Sequence, residues 1–88
     1  MTEQPSLIEY PCDFPIKIMG KAQPGFTQTT LHIVQSHAPD FDAATIAMRT
    51  SKNGTYLSIT CIIRATSRTQ LDALYQALSA HPAVSIVL

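Results

Sequence analysis

The hydrophobic period changes several times along this chain, and each change marks an element. In FPIKIMG, Phe14, Ile16 and Ile18 alternate with Pro15, Lys17 and Met19. Period two over a short run predicts a half-buried strand, which Gly20 ends. KAQPG follows as a loop, punctuated by Pro24-Gly25. From Phe26 to His37 the period lengthens. At about 100° per residue, Phe26, Thr30, Ile33, Val34 and His37 share one arc with Leu31 at its margin, which predicts an amphipathic helix of about three turns. It must stop before Pro39, whose ring disfavours helix at the residue before it.

Asp40, Phe41 and Asp42 lead into a second strand, where Ala44, Ile46 and Met48 alternate with Thr45, Ala47 and Arg49. After SKNG comes the longest alternation. Leu57, Ile59, Cys61, Ile63 and Ala65 face one way; Tyr56, Ser58, Thr60, Ile62 and Arg64 face the other. Ser67 to Gln70, SRTQ, is a capping box: the serine accepts from the amide three residues on, and the glutamine reaches back. Leu71, Leu74, Tyr75 and Leu78 follow at helical spacing. Pro82 closes the next loop, and Val84, Ile86 and Leu88 alternate as a last strand. Residues 1–12 hold two of the six prolines and little periodicity. They read as an irregular leader with one turn around Leu7 to Tyr10, before a single domain over 13–88.

The order β-α-β-β-α-β predicts an α+β, ferredoxin-like sandwich. Two split βαβ units with right-handed crossovers give a four-stranded antiparallel sheet, order 4-1-3-2, with both helices on one face. The SKNG segment then joins strands two and three. Asn-Gly is the strongest short hairpin signal, because a type I′ turn needs positive φ at both central residues. With Asn53-Gly54 as the turn, Lys52 opposes Thr55, Met48 opposes Ile59 and Ile46 opposes Cys61, so apolar meets apolar. A four-residue SKNG loop, pairing Thr50 with Thr55, keeps the same parity. A three-residue loop would turn one strand inside out. The turn reading therefore explains the segment without a ligand.

At 88 residues, 45% hydrophobic and 14% charged, the chain is one small globular domain. Six basic residues balance six acidic ones, with no basic run, which argues against nonspecific nucleic-acid binding. Cys12 and Cys61 form no CxxC and read as two reduced thiols of a cytoplasmic protein. The N-terminus has neither a basic nor an apolar region of the signal-peptide kind. No run approaches the ~18 apolar residues of a membrane span.

Chemistry-bearing residues are sparse. His32 and His37 lie about 140° apart on their helix and cannot pair on a metal. Cys61 falls in the expected core and reads as a small buried hydrophobe. Asp40 and Asp42 read as solvated loop charge. No GxSxG, Walker A loop or GxGxxG occurs. GKAQPGF resembles the strand–helix loop of acylphosphatases, but the phosphate-binding arginine does not follow. MGKAQ lacks the cysteines of copper-chaperone domains. RNA-recognition motifs stack bases on aromatics of the two central strands. Here the open-face positions carry Lys17, Met19, Ser58, Thr60 and Ile62, with Tyr56 the lone aromatic. Met19, Tyr56, Ile62 and Val87 give that face apolar content between Lys17 and Arg64. A solvated sheet and a contact surface account for it equally well.

Several segments in order resemble the YbeD-like family of small uncharacterised bacterial proteins. They are FPIKIMG, VQSHAP, the SK-G-Y hairpin (Ser51, Lys52, Gly54, Tyr56), LYQAL and the terminal VSIVL. The chain departs from the pattern at Asn53, an added residue between Lys52 and Gly54. The resemblance implies a ferredoxin-like fold similar to ACT-type regulatory domains that sense amino acids. Family genes often lie near the gene for the lipoate-attachment octanoyltransferase, which implies a link to lipoate metabolism. Pro24-Gly25-Phe26 resembles the start of the first ACT helix, although a loop that simply starts a helix explains it more economically.

The expectation is a non-enzymatic regulatory or adaptor module without a cofactor or metal. It would meet an unknown protein partner, or a second copy, through an interaction face of Lys17, Met19, Tyr56, Ser58, Thr60, Ile62 and Arg64, or through a sheet edge. One alternative is an ACT-like small-ligand sensor binding at Gly20, Lys21 and Gly25. A second alternative is an RNA-binding module.

Overall fold

The computed structural model describes residues 9–88. Leu7 and Ile8 of the expected leader turn lie outside the described residues. The elements are β1 (Cys12–Lys21), α1 (Phe26–His37), β2 (Ala47–Thr50), β3 (Tyr56–Ala65), α2 (Arg68–Ala80) and β4 (Val84–Val87), with a single 3-10 turn at Ala43–Thr45. The sheet order is β2-β3-β1-β4 and every neighbouring pair is antiparallel, as the alternation predicts. The first strand begins at Cys12, two residues ahead of the FPIKIMG pattern.

The two central strands pair over their full length, from Cys12 opposite Ala65 to Lys21 opposite Tyr56. Even-numbered residues of β1 and odd-numbered residues of β3 share one face. There Ile16 meets Cys61 and Ile18 meets Ile59. Phe26 and Val34 of α1 and Leu71, Leu74 and Leu78 of α2 cover them, and all of these side chains are buried. Burial of apolar surface on this one face holds the two layers together.

Gln70 links the helices in a way that a capping box does not foretell. Ser67 Oγ accepts from the Gln70 amide at 3.0 Å, as expected. The Gln70 Oε1, however, accepts from the Thr66 amide at 2.7 Å, one residue earlier than the box predicts. Its Nε2 donates to the His37 carbonyl at 2.8 Å, so one side chain serves the end of α1 and the start of α2.

The hairpin keeps the expected register and changes the expected turn. Met48 opposes Ile59 and Thr50 opposes Leu57. Asn53 does not adopt positive φ; Gly54 does, at 75°. The Gly54 amide donates to the Ser51 carbonyl at 2.9 Å, and the Ser51 amide donates to the Tyr56 carbonyl at 2.8 Å. The tip is thus a β-turn followed by a left-handed glycine, and Lys52 and Thr55 do not form the tip pair of a type I′ hairpin.

Two expectations for the outer strands are corrected. Ala44 and Thr45 belong to the 3-10 turn, whose Asp42 carboxylate accepts from the Ala44 amide at 2.9 Å. β2 is therefore short, and Met48 at the sheet edge is 48% exposed. In β4, Gly20 opposes Val84 but Met19 opposes Ile86, a bulge that adds Ser85. The extra residue reverses the alternation. Val84 and Val87 pack against the core, while Ile86 and Leu88 leave it.

Candidate functional site

The face of the sheet away from the helices carries no covering layer among the described residues. Odd-numbered residues of β1 and even-numbered residues of β3 form its middle. Cross-strand pairing sets them in rows. One row runs Arg49, Ser58, Met19, Ile86. The next runs Ala47, Thr60, Lys17, and then Leu88, whose amide donates to the Lys17 carbonyl at 2.8 Å. Tyr56 opposes Lys21 at the hairpin end, and Ile62 opposes Pro15 toward the other end, where Arg64 opposes Asp13. All seven residues expected on the interaction face lie on it together.

Three contributors were not foreseen. Arg49 has the outward parity in the sequence pattern, and that signal was sufficient to place it. Ile86 and Leu88 were concealed by the bulge, and Val87, expected on this face, points the other way. Tyr56, Ile62, Ile86 and Leu88 are 49%, 53%, 49% and 63% exposed, so about half or more of each meets solvent. A shallow concavity of about 280 Å³ opens between Lys17, Met19, Arg49, Tyr56 and Ser58. A second depression, of about 330 Å³, gathers Asp13, Asp40, Asp42 and Arg64 at the far end.

Of the residues expected at a ligand site, Gly25 alone lines a cleft. Gly20 is buried: a Cβ there would lie 2.6 Å from the Phe26 ring and against the Ala83 carbonyl. Protein atoms occupy the space that a ligand would need. Lys21 projects on the open face opposite Tyr56. Gly25, at φ 85°, precedes α1 and lines a cleft of about 220 Å³ with Gln23, Pro24, Phe26, Thr29 and His81.

Several of the remaining reactive groups are buried or engaged by the fold, whereas Cys12 is half-buried and His32 exposed. Burial pushes the Cys61 thiol up to about 11. Burial also raises the Tyr75 phenol, which donates to the Leu88 carbonyl at 3.3 Å. His37 Nδ1 lies 3.0 Å from the Ile33 carbonyl, which only accepts, so that nitrogen carries the proton. His81 Nδ1 accepts from the Ala83 amide at 3.1 Å, which leaves the ring proton on Nε2. Among the described residues no three His, Cys, Asp or Glu side chains gather to hold a metal, and no helix is long and apolar enough to cross a membrane.

This topology, with one bare sheet face, defines an ACT-like α+β domain. The crystal structure of the ACT domain from the GTP pyrophosphokinase of Chlorobium tepidum superposes with a TM-score of 0.66 at 22% identity, covering 88% of this chain and 97% of that one. The solution structure of protein HP0495 from H. pylori gives 0.71 at 17% identity, covering 99% and 90%. The particular family follows from sequence: residues 5–88 match the family described as "Protein of unknown function (DUF493)", and the chain belongs to it. It is 68% identical to the UPF0250 protein of Nitrosomonas europaea over the whole of both chains. It is 60% identical to that of Bordetella pertussis over 94% of this chain and 91% of the relative. The YbeD-like resemblance and the family agree.

Proposed function

We propose that this chain is a non-enzymatic regulatory or adaptor module that works by protein contact through the bare face of its sheet. The observation that carries the reading is the composition of that face: Tyr56, Ile62, Ile86 and Leu88 are each about half exposed or more, on the face that carries Lys17 and Arg49. Several large apolar side chains this exposed on one face, interspersed with cations, are consistent with a contact surface. The non-enzymatic part is supported by the state of the reactive groups. The Cys61 thiol is buried and protonated at neutral pH, and one ring nitrogen of His37 and of His81 is engaged by the backbone.

A photoreactive residue at Thr60, in the middle of the face, tests the reading in the native cell. It should give a discrete crosslinked product that excess unmodified chain suppresses, and the same group at Gln76 on the outside of α2 should not. No product at Thr60, or equal products at both sites, would reject the proposal.

A second reading, a small-ligand sensor, is favoured by the cleft beside Gly25 and by the likeness to an ACT domain. A ligand held there would raise the melting midpoint by mass action. A thermal-shift screen of amino acids and lipoate-related compounds with no stabilising member would end it.

A further inference from the structure

The chain is neutral, yet its charges are segregated. Four of its six basic residues, Lys17, Lys21, Arg49 and Arg64, project exposed on the bare sheet face, against one carboxylate among the described residues, Asp13. Arg64 has its own company, since Asp13, Asp40 and Asp42 surround the depression that it lines. Lys17, Lys21 and Arg49, toward the hairpin, have no such company among the described residues, where the one salt bridge is Arg68 with Asp72, on α2. Lys17 and Arg49 flank the concavity that Met19 and Tyr56 line with apolar surface and Ser58 lines with a hydroxyl.

We infer that this hairpin end docks an acidic segment of a partner protein, with carboxylates on Lys17 and Arg49 and an apolar side chain seated on Met19 and Tyr56. The inference rests on the reading of the bare face as a protein-contact surface and adds the chemistry of the partner. A carboxylate matches the guanidinium fork of Arg49 and the donor hydroxyls of Tyr56 and Ser58. Two separated cations around an apolar centre select a chain that alternates acidic and apolar side chains. Nucleic acid fits less well, because single-stranded bases need aromatic platforms, and Tyr56 stands alone among Met19, Ser58 and Thr60. A second copy also fits less well. Among the described residues, the carboxylates gathered at this face of a second copy, Asp13, Asp40 and Asp42, already surround Arg64.

The test is an amide NMR titration of the full 15N-labelled chain. The probe is a synthetic peptide alternating Glu and Leu; the controls are the same peptide with Gln for Glu, and an oligouridylate. The Glu peptide should shift the amides of Met19, Arg49, Tyr56 and Ser58. Its affinity should fall between about 50 and 300 mM salt. It should fall at least about tenfold in Lys17→Glu/Arg49→Glu, whose exposed positions leave the thermal midpoint near that of the parent. Equal shifts from the Gln peptide, tighter binding of the oligouridylate, or undiminished affinity in the double variant would each overturn the inference. Concentration-dependent shifts of the same amides without any peptide would also overturn it, in favour of a second copy. The crosslink at Thr60 separates the two claims. If it persists in the double variant at high salt, the face still docks a protein but not an acidic one. If it is absent from the parent chain, the contact-face reading itself falls.

Discussion

Replacing Gly20 with alanine should be the most damaging glycine substitution in the chain. The added Cβ would stand 2.6 and 2.8 Å from two ring carbons of Phe26, and still nearer the Ala83 carbonyl oxygen. Carbon atoms in contact sit roughly 3.5–4.0 Å apart, so the shortfall is about 1 Å. The carbonyl is backbone and cannot rotate aside. Either Phe26 leaves its place in the core or β4 separates from β1. Overpacking costs about 1–3 kcal/mol, and losing a strand–strand hydrogen bond adds about 1. A loss of about 3 kcal/mol is expected, a large part of the ~4–13 kcal/mol that a chain of this length holds. Gly25 provides the control. It has φ 85° and nothing within 4 Å of its would-be Cβ. Only the left-handed backbone resists alanine there, at about 1–2 kcal/mol. Urea unfolding followed by circular dichroism should place the Gly20→Ala midpoint well below that of Gly25→Ala, with similar slopes. Equal midpoints, or the reverse order, would refute the packing argument.

Thr30 is 1% exposed and its Oγ1 has no hydrogen-bond partner among the described residues, so Thr30→Val should stabilise by about 1 kcal/mol; a lower urea midpoint would contradict this. Gln70→Glu should keep the acceptor at the Thr66 amide and lose the donor to the His37 carbonyl, whereas Gln70→Ala loses both. The alanine variant should therefore be less stable than the glutamate variant, by about 1 kcal/mol in urea; equal midpoints would mean that the bond to Thr66 contributes nothing. The Cys61 thiol sits at about 11, above the ordinary 9.0. A group whose pKa is raised by folding stabilises fully below the unfolded value and loses that contribution as pH rises. The stability of the parent chain relative to Cys61→Ala should fall between about pH 9 and 11, and a flat difference would show that the thiol titrates freely.

Much of the fold was legible because side-chain parity is a strict code. The alternation in β1 and β3 left one way to bury Ile16, Ile18, Ile59 and Cys61 together, and the hairpin register followed. The turn type did not follow, because Met48 opposite Ile59 is compatible with more than one loop at the tip. The phase of β4 was hidden for a similar reason. VSIVL offers apolar residues in both parities, and the bulge at Ser85 chooses Val84 and Val87 for the core. Asp42 disguised the start of β2, since its carboxylate holds a 3-10 turn where the alternation continued on paper. The candidate face was half legible. Its seven residues could be assigned from parity within β1 and β3, but its charge could not. Lys17, Lys21 and Arg49 form no basic run, and they share the hairpin end of the face only when the strands lie side by side.

Isoleucine methyl NMR of the labelled full chain in extract of its native cell tests the working-surface claim most directly. Ile62 and Ile86 stand exposed on the bare face, Ile33 is half-buried on α1, and Ile16 lies in the core. Ile62 and Ile86 should broaden or shift, excess unlabelled chain should restore them, and Ile33 and Ile16 should stay unchanged. Unperturbed Ile62 and Ile86 signals, or perturbation confined to Ile33, would contradict it.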